Sequence, residues 1–235
     1  SLTTNLGIKN FSSKIDRLAK FRFSKIENFH YFEPELVFDG KNFVFFDDKG
    51  NLIKFNDNFE IVWKKNFYSK QEKKLKPILT LSTDNKYLIV FDNISKLYAV
   101  DLKTGNLIWS KKNKNPFNSQ IKIFDKKIYA IDMNNILRCI SLIDGLELWN
   151  FRSENTFLKS PKRNSLIVSK DKVYLNTSVG DIVAINATSG SLVWQIPTQS
   201  SLIYESAFSL VTSDLVASND NLIFSNNRNE FFSIN

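Results

Sequence analysis

The sequence predicts an all-β protein, a β-propeller of four-stranded antiparallel blades, and three observations support this. A tryptophan-containing segment recurs, with spacings of 46, 40 and 45 residues between Trp63, Trp109, Trp149 and Trp194, and a period of about 40 to 50 residues is typical of a propeller blade. Within each copy, apolar and β-branched residues alternate with period two in short runs. Turn residues separate these runs, as expected for antiparallel strands rather than helices.

About five blades are predicted in this chain. Complete blades are expected over 31–66, 75–111, 120–151 and 165–197, and an incomplete one over 206–235. The chain is therefore interpreted either as part of a larger, eight-bladed propeller or as a five-bladed ring. In the second case, residues 14–24 of the N-terminal segment 1–30 would supply the missing strand, because a propeller must close to protect its strand edges.

The strands of each blade follow from the apolar runs. In the first blade they are expected near 35–38, 43–47, 52–56 and 61–66; in the second near 75–80, 87–91, 96–101 and 107–111; in the third near 120–124, 127–132, 136–141 and 146–151; in the fourth near 165–169, 172–176, 182–186 and 192–197; and in the fifth near 207–212, 222–225 and 231–235. The fifth blade lacks a fourth strand.

Two further positions repeat with the tryptophan. A glycine stands four residues before it in three copies, and a small residue stands ten residues before it. The glycines are Gly105, Gly145 and Gly190, and the small residues are Ala99, Cys139 and Ala184. Only glycine adopts positive φ without a Cβ penalty, so the glycine indicates a hairpin turn. The small residue leaves room for a bulky neighbour, for which the tryptophan is the natural candidate.

The best-preserved copy is LYAVDLKTGNLIW, residues 97–109. It resembles the core of the pyrroloquinoline-quinone-like (PQQ-like) propeller repeat family, and the resemblance extends over about four and a half repeats. The matching residues are Tyr98, Ala99, Asp101, Thr104, Gly105 and Trp109 in the second copy, Gly145 and Trp149 in the third, and Ala184, Gly190 and Trp194 in the fourth. The resemblance implies that each tryptophan packs between neighbouring blades and that a complete propeller has about eight of them.

Quinoprotein dehydrogenases with this repeat hold a quinone over a calcium ion, often beside a disulfide of adjacent cysteines. This chain has one cysteine, Cys139, and one histidine, His30, so no catalytic, cofactor-binding or metal-binding residue is predicted and no cofactor is expected. Acidic residues do recur between the second and third strands, namely Asp47, Asp48, Asp92, Asp132 and Asp181. A cation site there is one interpretation, but tight turns select aspartate, which favours a structural role.

The connections between blades are long and basic and contain aromatic residues, which is typical of a protein-recognition surface. The candidate partner-binding residues are Lys73, Lys74, Lys112, Phe117, Phe157, Arg163 and Tyr204. The net charge of +8 invites a nucleic-acid partner. However, the abundance of Lys, Asn, Ile and Phe is also expected from an AT-rich genome, and no nucleic-acid partner is predicted.

Among PQQ-like repeat proteins, the chain resembles most the propeller lipoproteins of the outer-membrane β-barrel assembly machinery. This resemblance implies a noncatalytic scaffold on the periplasmic side of the outer membrane of a Gram-negative bacterium. Its partner would be the central subunit of that machinery, and its membrane contact would be a lipid anchor preceding residue 1. Two alternatives stay open: a fragment of a PQQ-dependent dehydrogenase, and a cytoplasmic protein-binding propeller.

Overall fold

A computed structural model describes residues 36–152, 163–177, 180–198, 213–218, 220–225 and 230–234. These residues form five separate antiparallel sheets, in each of which consecutive strands pair. We call each sheet a blade. The chain divides into two compact units. Among the described residues, the N-terminal unit extends to residue 116 and contains blades 1 and 2, and the C-terminal unit begins at residue 117 and contains blades 3 to 5.

In the described part of the N-terminal unit, eight strands and one short helix follow one another along the chain. Blade 1 contains β1 (Val37–Asp39), β2 (Asn42–Phe46), β3 (Leu52–Phe55) and β4 (Ile61–Lys65); α1 (Lys70–Lys74) follows; blade 2 contains β5 (Leu79–Thr83), β6 (Tyr87–Asp92), β7 (Lys96–Asp101) and β8 (Leu107–Lys112). Apolar side chains of both blades, among them Phe46, Leu52, Leu88 and Tyr98, form one buried cluster. The core of this unit therefore lies between the two sheets.

One predicted strand of this unit is misplaced. The strand expected near 75–80 begins at Leu79, and α1 lies just before it. The helix begins there because the Ser69 hydroxyl accepts the N–H of Glu72 while the Glu72 carboxylate accepts the N–H of Ser69. This reciprocal capping box is a strong helix start signal, and Leu75 is the C-cap of the helix rather than the start of a strand.

In the C-terminal unit, blades 3 and 4 have four strands, and blade 5 has three among the residues described. Blade 3 contains β9 (Lys122–Phe124), β10 (Lys127–Ile131), β11 (Ile136–Ser141) and β12 (Glu147–Arg152); blade 4 contains β13 (Leu166–Ser169), β14 (Lys172–Asn176), β15 (Ile182–Asn186) and β16 (Leu192–Ile196); blade 5 contains β17 (Val216–Ser218), β18 (Asn221–Ser225) and β19 (Phe231–Ile234). One apolar cluster joins blades 3 and 4, and a second joins blades 4 and 5.

Blade 5 also contains a strand that the sequence did not predict. The strand that pairs with β18 is β17, which lies between the expected strands 207–212 and 222–225. Residues 207–212 themselves, the N-terminal segment 1–30 and the closing strand proposed at 14–24 lie outside the described residues.

Each four-stranded blade has a β-bulge on its fourth strand. In blade 2, Ala99 pairs with Trp109 and Val100 pairs with Leu107, so Ile108 is an extra residue. The extra residues of the four blades are Val62, Ile108, Leu148 and Val193. All four are exposed, and a bulged residue that is left out of the ladder explains why an apolar side chain next to each tryptophan faces solvent.

Candidate protein-interaction face

Each repeated tryptophan lies in a row of side chains that crosses its blade. In blade 2 the row runs through Ile89, Ala99 and Trp109, which are directly opposite one another on β6, β7 and β8. Directly opposite residues of antiparallel strands share one face of the sheet. The corresponding rows are Val44, Lys54 and Trp63 in blade 1, Tyr129, Cys139 and Trp149 in blade 3, and Tyr174, Ala184 and Trp194 in blade 4.

In the N-terminal unit, the tryptophan of blade 1 lies against the turn between β7 and β8 of blade 2. A Cβ atom placed on Gly105 would be 2.9 Å from Cδ2 of Trp63, and Gly105 has a φ of +73°. The Trp63 Nε1–H donates to the carbonyl oxygen of Leu102, which begins the same turn, at 3.2 Å. Glycine is therefore required at 105 both by the backbone conformation and by the indole ring above it.

The C-terminal unit repeats the packing but not the hydrogen bond. A Cβ atom on Gly190 would be 2.6 Å from Cδ2 of Trp149. The carbonyl that corresponds to Leu102, that of Ala187, accepts the hydroxyl of Tyr129 at 3.2 Å instead. The Trp149 Nε1–H is buried and has no hydrogen-bond partner among the described residues. In blade 3, therefore, Tyr129 rather than the indole donates to this carbonyl.

The remaining predicted repeat residues are buried or half-buried in their blades, or lie in a turn. Trp109 is buried, and Trp194 is half-buried with its ring centroid 5.8 Å from that of Tyr174. Ala99 and Ala184 are buried, and Gly145 has a φ of +71°. Cys139 is buried opposite Trp149, and burial raises the pKa of its thiol to about 11. A thiol that stays protonated at neutral pH acts as a small apolar residue.

Blade 1 has a buried lysine at the position that its sister blades give to a small residue. Lys54 lies opposite Trp63, and its Nζ is 2.7 Å from Asp39 Oδ2 and 3.0 Å from the carbonyl oxygen of Leu102. The ammonium and the indole of blade 1 thus share one carbonyl of blade 2. The sequence repeat did not reveal Lys54, because the turn of the first copy is one residue shorter and the partners are distant in the chain.

In three blades an aspartate carboxylate accepts backbone N–H groups of the turn between the second and third strands, which we call the second turn. One oxygen of Asp92 accepts the N–H groups of Ile94 and Lys96 at 2.9 and 2.8 Å. Asp47 and Asp132 make the same pair of bonds in blades 1 and 3, and Thr177 stands at the corresponding place in blade 4, where its hydroxyl accepts the N–H of Asp181. Within the described residues, no group of three or more His, Cys, Asp or Glu side chains is arranged to hold a metal ion.

The second oxygen of each carboxylate binds a neighbouring side chain. Asp92 Oδ2 accepts the hydroxyl of Tyr68 at 2.6 Å, and the corresponding oxygens of Asp47 and Asp132 accept from Asn51 and Arg138. Burial raises the pKa of both Asp92 and Tyr68. Tyr68 belongs to the connection between blades 1 and 2, so this bond attaches that connection to the second turn of blade 2.

Several contacts hold the connection between blades 1 and 2 against blade 2. The ring of Phe67 lies edge-on to Tyr98 at 5.4 Å. The Lys96 Nζ lies 4.9 Å from the centroid of the Tyr68 ring, donates to the carbonyl of Phe67 at 2.6 Å and is 3.3 Å from Glu72 Oε1. These contacts fix α1 at the end of blade 2.

Three predicted partner-binding residues lie at this end of blade 2. Lys73 and Lys74 belong to α1, and Lys112 ends β8 directly opposite Lys96. Because Lys96 is bound to Glu72 of α1, the structure brings the helix and Lys112 to the same end of blade 2. Lys74 and Lys112 are exposed, and Lys73 is half-buried.

In the C-terminal unit, two further predicted residues lie near each other. Phe117 forms a bridge with Asp132 in the second turn of blade 3, and Ser119 forms one with Asn164. The N–H of Asn164 donates to the carbonyl of Asn118 at 2.9 Å, which places Arg163 beside the segment that begins at Phe117. Both are half-buried. The other two predicted residues, Phe157 and Tyr204, lie outside the described residues.

Comparison with known families identifies this architecture. The family model described as "Outer membrane protein assembly factor BamB" matches residues 34–235. The chain belongs to the BamB family. The repeated tryptophans of this BamB-family chain all fall within the matched region, and so do the blade connections that carry the predicted partner-binding residues.

Two curated relatives carry the same name. The chain is 28% identical over 122 residues to outer membrane protein assembly factor BamB of Shewanella oneidensis, covering 52% of this chain and 29% of the relative. It is 27% identical over 120 residues to the BamB of Kangiella koreensis, covering 46% of this chain and 28% of the relative. Each alignment thus spans less than a third of the BamB relative's length.

Solved structures similar to this BamB-family chain are β-propellers. BamB from Moraxella catarrhalis matches with a TM-score of 0.57 at 16% identity, over 81% of this chain and 54% of that one. The β-propeller domain of Cps50 (Swd1) from Myceliophteria thermophila matches with a TM-score of 0.58 at 13% identity, over 81% of this chain and 60% of that one. At these identities the likeness shows the propeller fold, and the all-β prediction is confirmed.

The described part of this BamB-family chain contains no helix that is both long and apolar enough to cross a bilayer.

Proposed function

We propose that this chain is a noncatalytic scaffold that helps to assemble β-barrel proteins of the outer membrane. In this proposal it acts on the periplasmic side of that membrane in a Gram-negative bacterium. It binds protein partners, first among them the central subunit of the barrel assembly complex. The observation that carries the proposal is the match of the BamB family over residues 34–235.

The blade connections support a binding role. In both units the connection before a blade is attached to the second turn of that blade, through Tyr68 and Asp92 in one and through Phe117 and Asp132 in the other. Each connection carries exposed or half-buried basic residues. A loop that a rigid sheet holds in a fixed position is suited to partner recognition, because less conformational entropy is lost on binding.

The turn carboxylates also favour a scaffold. Asp47, Asp92 and Asp132 each use one oxygen for two backbone N–H groups and the other for a neighbouring side chain. Both oxygens of each carboxylate therefore take part in holding its turn. These bonds agree with the structural role in tight turns that the sequence favours for these aspartates over a cation site.

Site-specific photo-crosslinking in the native envelope tests this function. A photoreactive residue is placed at Lys73 or Lys112 in the N-terminal unit, or at Arg163 in the C-terminal unit. We expect each to cross-link to the central subunit of the barrel assembly complex. The matched control positions are Lys103 and Ile143, which are exposed in the turns between third and fourth strands.

The proposal requires the two sets of positions to differ. Cross-links from the connection positions and none from the turn positions would support it. Recovery of no barrel-assembly subunit from any position, with the protein present in the envelope, would contradict it. Cross-links from Lys103 and Ile143 alone would keep the scaffold role and assign it to the opposite ends of the blades.

A further inference from the structure

The segment 70–76 is strongly basic, and its only acidic residue is already engaged. It contains Glu72 and four lysines, Lys70, Lys73, Lys74 and Lys76. The Glu72 carboxylate accepts the N–H of Ser69 at 2.7 Å and is 3.3 Å from the Nζ of Lys96. Its charge is therefore directed toward the blade and neutralised there, and it does not compensate the lysines of α1.

Three of these lysines present their charges outward. Lys70 and Lys74 are exposed and Lys73 is half-buried. None of the three forms an ion pair with an acidic residue of the described part of the chain. We call this surface, together with Leu75, the α1 platform. Leu75 is 61% exposed at the C-cap of the helix, so an apolar side chain stands among the charges.

The α1 platform is held in a fixed position. The capping box begins the helix, the Tyr68 hydroxyl donates to the buried Asp92 at 2.6 Å, and Lys96 links Glu72 to the carbonyl of Phe67. A surface whose geometry is set before binding loses little entropy when a partner arrives. Charges at such a surface increase the rate of encounter with an oppositely charged partner and fix its register.

We propose that the α1 platform docks a short acidic segment of a partner protein, whose carboxylates face Lys70, Lys73 and Lys74 and whose apolar side chain packs on Leu75. This inference rests on the proposed scaffold function and assigns the chemistry of one of its partners. An anionic membrane surface is the competing occupant. The helix KQEKK has no apolar residue, whereas a helix that binds a membrane interface buries an apolar face in it.

Fluorescence anisotropy with the purified 235-residue chain tests the proposal. The probe is a short labelled peptide of glutamate and serine residues with one central leucine. The variant is Lys73→Glu with Lys74→Glu, and the matched control is Lys86→Glu with Lys103→Glu. The control changes the net charge equally and alters two exposed lysines at the opposite end of blade 2.

We expect saturable binding that the α1 variant weakens by about tenfold, mainly through a slower association rate, while the control changes it by less than about twofold. Leu75→Ser should weaken binding of the leucine-containing peptide and leave binding of the same peptide with serine in place of leucine unchanged. Circular dichroism checks that the variants fold.

The inference is overturned if the peptide fails to bind, or if both charge-reversal variants weaken it equally. It is also overturned if the α1 variant loses binding only to vesicles that contain phosphatidylglycerol, which would make the surface a membrane contact. If photo-crosslinking from Lys112 and Arg163 succeeds, and Lys73→Glu with Lys74→Glu changes neither these cross-links nor peptide binding, the scaffold function stands and only this inference fails.

Discussion

The tryptophan contacts of the two units share their packing and differ in their polar partners. Trp63 and Trp149 both cover a glycine of the next blade, Gly105 and Gly190. The Trp63 N–H donates to the carbonyl of Leu102, whereas the corresponding carbonyl at Ala187 accepts the hydroxyl of Tyr129. The repeat therefore specifies the contact between the ring and the turn, while residues elsewhere in the row decide which group donates to the carbonyl.

This difference separates the apolar packing of the ring over the glycine from the hydrogen bond to the carbonyl. In blade 1 the row contains Val44 and Lys54, and the lysine donates to the Leu102 carbonyl alongside the indole. In blade 3 Tyr129 and Cys139 replace them, and the tyrosine reaches Ala187. Apolar packing over glycine tolerates this exchange because it is not directional, whereas a hydrogen bond depends on the position of one donor.

Removing the rings should give the largest effect. We expect Trp63→Ala to lower the free energy of unfolding by about 3–5 kcal/mol, the range for a large buried aromatic side chain. Trp149→Ala should lower it less, because Trp149 is only half-buried and its N–H has no partner among the described residues. Urea denaturation followed by circular dichroism measures both. A larger loss for Trp149→Ala would contradict the comparison.

Adding a methyl group under the ring should give the next largest effect. Gly190→Ala combines a positive φ with a contact at 2.6 Å, and we expect a loss of about 2–5 kcal/mol. Gly40→Ala is the matched control, because Gly40 has a φ of +59° and no atom within 4 Å of a Cβ. It should lose only about 1–2 kcal/mol from backbone strain. Equal losses at the two glycines would show that the ring does not press on the turn.

Lys54 tests whether the polar link of blade 1 contributes to stability. Lys54→Met keeps the stem and removes the ammonium from Asp39 and from the carbonyl of Leu102. We expect a loss of about 1–3 kcal/mol, because the half-buried carboxylate loses its partner. The control, Lys41→Met, breaks an exposed pair with Asp57 and should change stability by less than about 0.5 kcal/mol. A stabilising Lys54→Met would mean that desolvation of the ammonium outweighs its bonds.

Exchanging tryptophan for phenylalanine isolates the indole N–H in each unit. Trp63→Phe removes a donor from Leu102, and we expect a loss of about 1 kcal/mol beyond that of the smaller ring. Trp149→Phe removes a buried N–H without a partner among the described residues, so only the ring-size effect should remain. Thermal unfolding of the two variants measures the difference. If Trp149→Phe is the more destabilising variant, the indole hydrogen bond of blade 1 does not distinguish the two tryptophans as described.

The smallest effect concerns pH and the second turn. Asp92 faces the phenol of Tyr68, whereas Asp132 faces the guanidinium of Arg138. Burial raises the pKa of Asp92, so the folded chain binds this proton more tightly than the unfolded chain does. Its ionisation should therefore lower stability as pH rises above the ordinary aspartate pKa of about 3.9.

Asp92→Asn tests this sign, since asparagine keeps the turn but does not ionise. The unfolding free energy of the wild type, relative to that of the variant, should decrease between acidic and neutral pH. Urea titrations at a series of pH values measure it. An increase toward neutral pH would show that the bonds to the carboxylate outweigh its burial.

Much of the fold could be predicted because its signals are local. The Trp109 repeat and the Gly105 turn are close in sequence, and alternation of apolar residues shows each strand. The position of β5 could also have been found, because Ser69 and Glu72 have the spacing of a capping box. Residues 75–78, which lie between α1 and β5, were instead assigned to the start of the strand.

The inter-blade contacts were less predictable because their partners are distant in the chain. Lys54 lies next to Leu102 only after two blades have formed, and the shorter first turn places Lys54 rather than Ile53 opposite Trp63. The exchange of donors at Ala187 depends on Tyr129, which no repeated motif includes. Residue spacing identifies a row within one sheet, but it does not determine which group reaches across to the next.

The most direct test of the account is a double-mutant cycle between Trp149 and Gly190. It compares the stability loss of Gly190→Ala in the wild type with the loss in a Trp149→Leu background. If one blade's indole covers the next blade's turn, Gly190→Ala should become as mild in the leucine background as Gly40→Ala is in the wild type. An undiminished loss in the leucine background would show that the two residues do not touch and would contradict the assignment of the repeats as packed blades.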